Sequence, residues 1–152
     1  MTRSWIPALA LVLVMSWTPA AAQQAAPSPV RVTTTAVSRV ILYRITPGQG
    51  PAYNQDVLEN LMPVYEEYKK ARLITDYGFF SKATTESPED WNVGVILTFP
   101  NFAGLDNFGS RTDPITLKHY GSAEKRTAAA MARGQTRTVV SSFLTQALAY
   151  SR

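Results

Sequence analysis

Hydrophobic and polar positions alternate most sharply between residues 91 and 99. Trp91, Val93, Val95, Leu97 and Phe99 fall on one side of an extended chain, and Asn92, Gly94, Ile96 and Thr98 on the other. Residues 37–45 alternate more loosely and are rich in β-branched side chains. They predict a first strand with Ile41, Tyr43 and Ile45 on one face and Val40, Leu42 and Arg44 on the other. Residues 74–82 predict a second strand, joined to the third by the polar connection 82–90. Between the first two the period changes. Val57, Leu58, Leu61, Val64, Tyr65, Tyr68 and Ala71 recur at three- and four-residue steps, which predicts a helix over 52–73. Pro63 lies inside it and predicts a kink, because proline removes one backbone bond and crowds the preceding turn.

The second half is less periodic. Asn101 can cap a short helix reaching residue 108, with Phe102 and Leu105 turned inward, and residues 109–113 read as a loop. Residues 114–120 form a further turn or two that Gly121 breaks, and Ser122 caps a helix to Arg133 that Gly134 closes. Residues 136–149 fit a strand or a helix, and Thr138, Val139 and Val140 favour the strand. The order strand, helix, strand, strand, helix, strand predicts an α+β ferredoxin-like domain: a split βαβ arrangement with a four-stranded antiparallel sheet and helices on one face. The other face carries Leu42, Phe80 and Ile96 and is too apolar to be freely wet, so a second copy is expected to cover it.

The N-terminal residues change the picture of where this domain works. Arg3, an apolar run over 6–17 and small residues through Ala20 and Ala22 read as a secretory signal peptide over 1–22. The run is shorter than the roughly 20 residues of a bilayer-spanning helix. Residues 23–35, rich in Ala, Pro, Gln and Thr, read as a flexible tether, leaving 36–152 as the domain, periplasmic or secreted. The sequence contains no cysteine, which excludes thiolate metal sites, thiol nucleophiles and iron–sulfur clusters. The net charge of +4 is spread over solvated helices, so no nucleic-acid partner is expected, and no membrane contact after cleavage.

Candidate chemistry is sparse. His119 is the only histidine, so a metal site would have to be built from carboxylates, and none is expected. It is either a general base, titrating in a useful range, or a surface residue beside Tyr120. Arg44, Asp76, Asn92 and Thr98 fall on the face away from the helices and form a candidate ligand-binding set. An Arg and an Asp in an apolar space must either pair or meet a ligand.

The segments Val40-Ile41-Leu42-Tyr43-Arg44-Ile45-Thr46-Pro47-Gly48, Pro63-Val64-Tyr65, Tyr77-Gly78-Phe79-Phe80 and Val95-Ile96-Leu97-Thr98-Phe99, with Phe102 after them, resemble the dimeric α/β-barrel superfamily. Within it they are most similar to NIPSNAP-like and antibiotic-biosynthesis-monooxygenase-like domains, over residues 37–108. The resemblance implies a homodimer whose two sheets enclose a cavity in each subunit. Members use that cavity as cofactor-free oxygenases, haem enzymes or decarboxylases. Haem-degrading members pair an Asn, a Trp and a His around the porphyrin. This chain has Trp91 and His119 but no Asn on its first strand, so no cofactor is expected. The resulting expectation is an exported dimeric barrel protein of unassigned activity that binds a small apolar ligand. The alternatives are a cofactor-independent monooxygenase-like enzyme and a structural or accessory protein of an envelope complex.

Overall fold

The computed structural model describes residues 31–84 and 86–151. The expected signal peptide and residues 23–30 of the expected tether lie outside the described residues. The elements are β1 (Arg31–Ile45), α1 (Gly50–Asp56), a π-helical turn (Val57–Leu61), α2 (Met62–Lys70), β2 (Asp76–Ser81), β3 (Val93–Phe99), a 3₁₀ turn (Phe102–Leu105), α3 (Phe108–Tyr120), α4 (Ala123–Thr136) and β4 (Arg137–Ser151). All pairings are antiparallel and the strand order is β2-β3-β1-β4, the ferredoxin-like order. The strand expected for the last segment is present.

Register sorts the side chains as their alternation predicts. Tyr43 faces Val93, Ile41 faces Val95 and Val37 faces Phe99 across β1 and β3, and this side carries the helices. Tyr43, Val64, Tyr68, Leu73, Ile74, Val95, Leu97 and Phe99 form the buried core. Phe108 closes it edge-on, 5.1 Å from Phe99 and 5.6 Å from Tyr68. The opposite side carries Val40, Leu42, Ile96, Gly94, Phe80 and Phe143. No helix covers it. Phe80 lies flat over Gly94, where an added Cβ would come within 2.2 Å of the ring. Trp91 meets Phe80 edge-on at 5.7 Å, so it serves this open face and not the core expected of it.

The long helix departs from the expected 52–73 in a way that Pro63 explains. Proline donates no backbone bond and its ring crowds the carbonyl four residues back, Glu59. The chain widens one turn ahead of it: Met62 N–H bonds to Val57 O, the i−5 spacing of a π turn. The helix ends at Lys70, where Arg72 takes a left-handed φ of 57°, with Arg72 N bonding to Lys69 O and Leu73 N to Tyr68 O.

Three further boundaries and one side chain differ from expectation. β1 begins at Arg31, inside the expected tether, because Arg31 to Thr34 pair with Leu148 to Ser151 of β4. The expected loop 109–113 is helical, and α3 runs through Pro114. Thr112 Oγ1 donates to Phe108 O and Gly109 O at 2.9 Å, and Thr116 Oγ1 to Asp113 O at 2.9 Å, on either side of the proline. Phe102 is 52% exposed instead of inward, since Phe108 takes the place against Phe99. Gly134 lies inside α4, which ends at Thr136 with Thr136 Oγ1 donating to Arg133 O. Asn101 and Ser122 do cap their helices, through Gly104 N and Lys125 N, each at 3.2 Å.

Candidate functional site

The π turn sets two polar side chains against the end of the helical layer. Asn60 Nδ2 donates to Asp56 Oδ1 at 2.9 Å. The carboxylate is acceptor only, so this bond fixes the amide, and Asn60 Oδ1 faces outward to His119 Nε2 at 3.1 Å. The imidazole therefore carries its proton on Nε2. Arg133 Nε on α4 donates to Asp56 Oδ1 at 3.2 Å and stands 2.9 Å from Oδ2, off the hydrogen-bond direction. Arg133 Nη2 donates to the Tyr120 hydroxyl. One polar relay thus joins α1, the π turn, α3 and α4: Tyr120, Arg133, Asp56, Asn60, His119.

One helical turn beyond Arg133, Arg137 opens β4. Its guanidinium carbon lies 4.3 Å from the Tyr43 ring centre and 5.5 Å from that of Tyr53. Its Nη1 is buried with no hydrogen-bond partner among the described residues. Burial raises the Tyr43 and Tyr53 phenols above their usual range, and Arg137 partly opposes this. Two small clefts flank Arg133. One of about 240 Å³ is lined by Tyr43, Ala130, Arg133, Gly134, Arg137 and Val139. The other, about 220 Å³, lies beside Asp56, Asn60 and Ala129.

The residues singled out from sequence are distributed differently. His119 is exposed and belongs to the relay. Asp76 and Thr98 are cross-strand partners at one end of the sheet, where Thr98 bonds Ser38 at 3.1 Å and Asp76 pairs with Lys69 at 3.0 Å. The Lys69 ammonium, then the Tyr77 backbone N–H, hold the Asp76 carboxyl below its usual range. Arg44 and Asn92 lie at the other end, about 20 Å along β3 at the usual rise of an extended chain. There they line a cleft of about 560 Å³; Arg44 pairs with Glu89, and Asn92 Oδ1 accepts from Ile45 N at 3.0 Å. The structure therefore makes two pairs of the four, not one set. A groove of about 610 Å³ between α2 and α3 is lined by the exposed Glu66, Glu67, Lys70, Pro114, Lys118 and His119. Glu67 and Lys70 satisfy each other at 2.6 Å. No group of three His, Asp or Glu side chains fit to hold a metal occurs among the described residues.

Reasoning from sequence missed Asp56, Asn60, Arg133 and Arg137. The signal available was spacing for one pair only: Asp56 and Asn60 are i, i+4 and share one helix face, whereas Arg137 lies past the end of α4.

No family model matches the chain, and no curated protein matches it. Solved structures resemble it distantly. HapK from Hahella chejuensis is 9% identical, over 73% of this chain and 91% of that one, with a TM-score of 0.49. A dimeric ferredoxin-like protein of unknown function from Thermobifida fusca is 11% identical, over 74% and 90%, with a TM-score of 0.40. An ethyl tert-butyl ether D (EthD) family protein from Bacillus halodurans is 8% identical, over 74% and 98%, with a TM-score of 0.43.

Proposed function

We propose that this chain is an exported homodimeric protein that binds a small molecule between its helical layer and its sheet. The observation that carries the reading is the cleft beside Arg137, a space lined by the Tyr43 ring, two guanidinium groups and the apolar Ala130 and Val139. The dimer is supported by the open sheet face, where Val40, Leu42, Ile96, Phe80 and Phe143 gather with no helix above them. Residues 1–22 support export by their charge, apolar run and small-residue end. The resemblance to NIPSNAP-like and antibiotic-biosynthesis-monooxygenase-like domains agrees with a homodimer. The oxygenase and envelope-accessory readings draw no support from the relay, whose histidine bonds Asn60 at the surface.

Native mass spectrometry of the exported protein tests both parts together. The expected result is a dimer retaining a small mass, and Ile96→Lys is expected to give a monomer by placing a charge in the contact. A monomer with nothing retained overturns the reading. So does an Ile96→Lys variant that stays dimeric, for the sheet-to-sheet contact.

A further inference from the structure

We propose that the Arg137 cleft binds the carboxylate of a small acid with a flat apolar body. The proposal rests on the small-ligand reading above and names the class of ligand.

Arg137 is held at an unusual place for a charge. It is the first residue of β4 and pairs with Ile45, so it falls on the helical side of the sheet, beside the core residue Tyr43. The rings of Tyr43 and Tyr53 steady its guanidinium, with ring centres 4.3 and 5.5 Å from its carbon. No carboxylate pairs with it among the described residues. Asp56, the acid of the relay, is taken up by Arg133 and Asn60. Two guanidinium groups therefore line the cleft, and only that of Arg137 is left without a carboxylate among the described residues. A guanidinium answers that need best with an acceptor that matches its planar fork, which is a carboxylate or phosphate oxygen pair.

The rest of the lining decides between those two. Ala130 and Val139 are apolar, Tyr43 presents a ring, and Gly134 has nothing within 4 Å of the position a Cβ would take. The space, about 240 Å³, is about eight times the volume of one water molecule in the liquid. Arg133, the other cation of the lining, is already taken up by Asp56 and the Tyr120 hydroxyl, so a compact acid with an aromatic or short aliphatic body uses this lining better than a phosphate does.

Benzoate is the probe, with benzyl alcohol as its uncharged counterpart and inorganic phosphate as the anion without a body. Ligand-observed NMR and calorimetry on the intact protein are expected to give saturable benzoate binding at least tenfold tighter than benzyl alcohol. Phosphate is expected to compete at least tenfold less well than benzoate. Arg137→Met is expected to remove the preference for benzoate, and Arg137→Lys, which keeps the charge but not the fork, to retain part of it. Equal binding of benzoate and benzyl alcohol by the unaltered protein overturns the carboxylate site while leaving the small-ligand reading standing. Competition by phosphate as strong as benzoate overturns the assignment of an apolar body. Failure of all three probes to bind overturns this proposal, and a small mass retained in native mass spectra would show that the broader reading survives it.

Discussion

Gly94→Ala is a one-carbon change with a calculable consequence. The new Cβ would stand 2.2, 2.4 and 2.7 Å from three carbons of the Phe80 ring, so ring and methyl cannot share the space. The backbone of β3 accepts alanine, so the ring must move. Phe80 is 38% exposed, and a phenylalanine buries of order 150–250 Å² in a well-packed site. Lifting the ring returns roughly 60 Å² to water, which costs about 1.5 kcal/mol at ~25 cal/mol per Å². Losing the edge contact with Trp91 adds ~0.5–1.5 kcal/mol. Replacing glycine in a strand returns ~0.5–1 kcal/mol of chain entropy. The net expectation is a loss of about 1–2 kcal/mol. Thermal melts followed by circular dichroism measure it, at roughly 3–5 °C per kcal/mol for a domain of this size.

The second half of the cycle makes the argument refutable. In a Phe80→Ala background there is no ring to displace, so Gly94→Ala is expected to be neutral or mildly stabilising. The difference between backgrounds, at least about 1 kcal/mol, is the coupling of the two residues. Equal effects in both backgrounds would mean that Phe80 does not lie over Gly94. The same variant reports on the open face, because a ring lifted from Gly94 pushes toward any second copy laid there. Sedimentation of Gly94→Ala is therefore expected to show a weaker dimer than the unaltered protein.

Two further predictions concern the helical side. Asp56→Leu strands the partly buried Arg133 guanidinium and is expected to cost about 2–3 kcal/mol in denaturant unfolding, most of it restored in Asp56→Leu/Arg133→Leu; an unrecovered loss would show that the pair is not the cause. Burial raises the phenols of Tyr43, Tyr53, Tyr65, Tyr68 and Tyr120, and burial with a bond to Glu66 takes Tyr77 to about 12, so above pH ~10 the unfolded chain sheds protons that the folded one keeps. Stability is then full below pH ~10 and falls as pH rises through the folded values; reversible ionisation of all seven tyrosines at 295 nm near pH 10 with circular dichroism unchanged would contradict this.

Much of the sheet was legible because alternation is a local property. Val93, Val95, Leu97 and Phe99 sort to the helical side whatever their partners are, and Leu42, Phe80 and Ile96 to the other. Helix ends were less legible. Residues 109–113 read as a loop with a helical turn starting at Pro114, yet α3 begins at Phe108 and runs through the proline. Gly134 reads as a cap, yet nothing near it requires a left-handed turn, and the helix continues. The relay was the least legible part, because Asp56 and Arg133 are 77 residues apart and meet only when α4 packs beside α1. Arg44 and Asp76 illustrate the converse. They share a face, as alternation requires, but alternation carries no information on position along the strand, which separates them.

The two ends of the sheet are finished in different ways, and this ties the site to the dimer. Under α2 the core is closed by Val95, Leu97 and Phe99, whereas β4 and α4 contribute no buried residue among those described. Tyr43, next to β4, is covered by a guanidinium where an aliphatic side chain would serve a closed core better. β4 is also exposed on both sides, with Val139 at 58% on the helical side and Phe143 at 46% on the open side. A second copy laid over the open face covers Phe143 and leaves Val139 untouched. Val139 lies instead beside the cleft that Arg137 lines. The strand thus presents two uncovered surfaces of different chemistry, one apolar and broad, the other small and cationic. On the reading proposed above, the first would be matched by another copy of the sheet and the second by a small acid. Each such occupant would then stabilise the folded chain through the same strand.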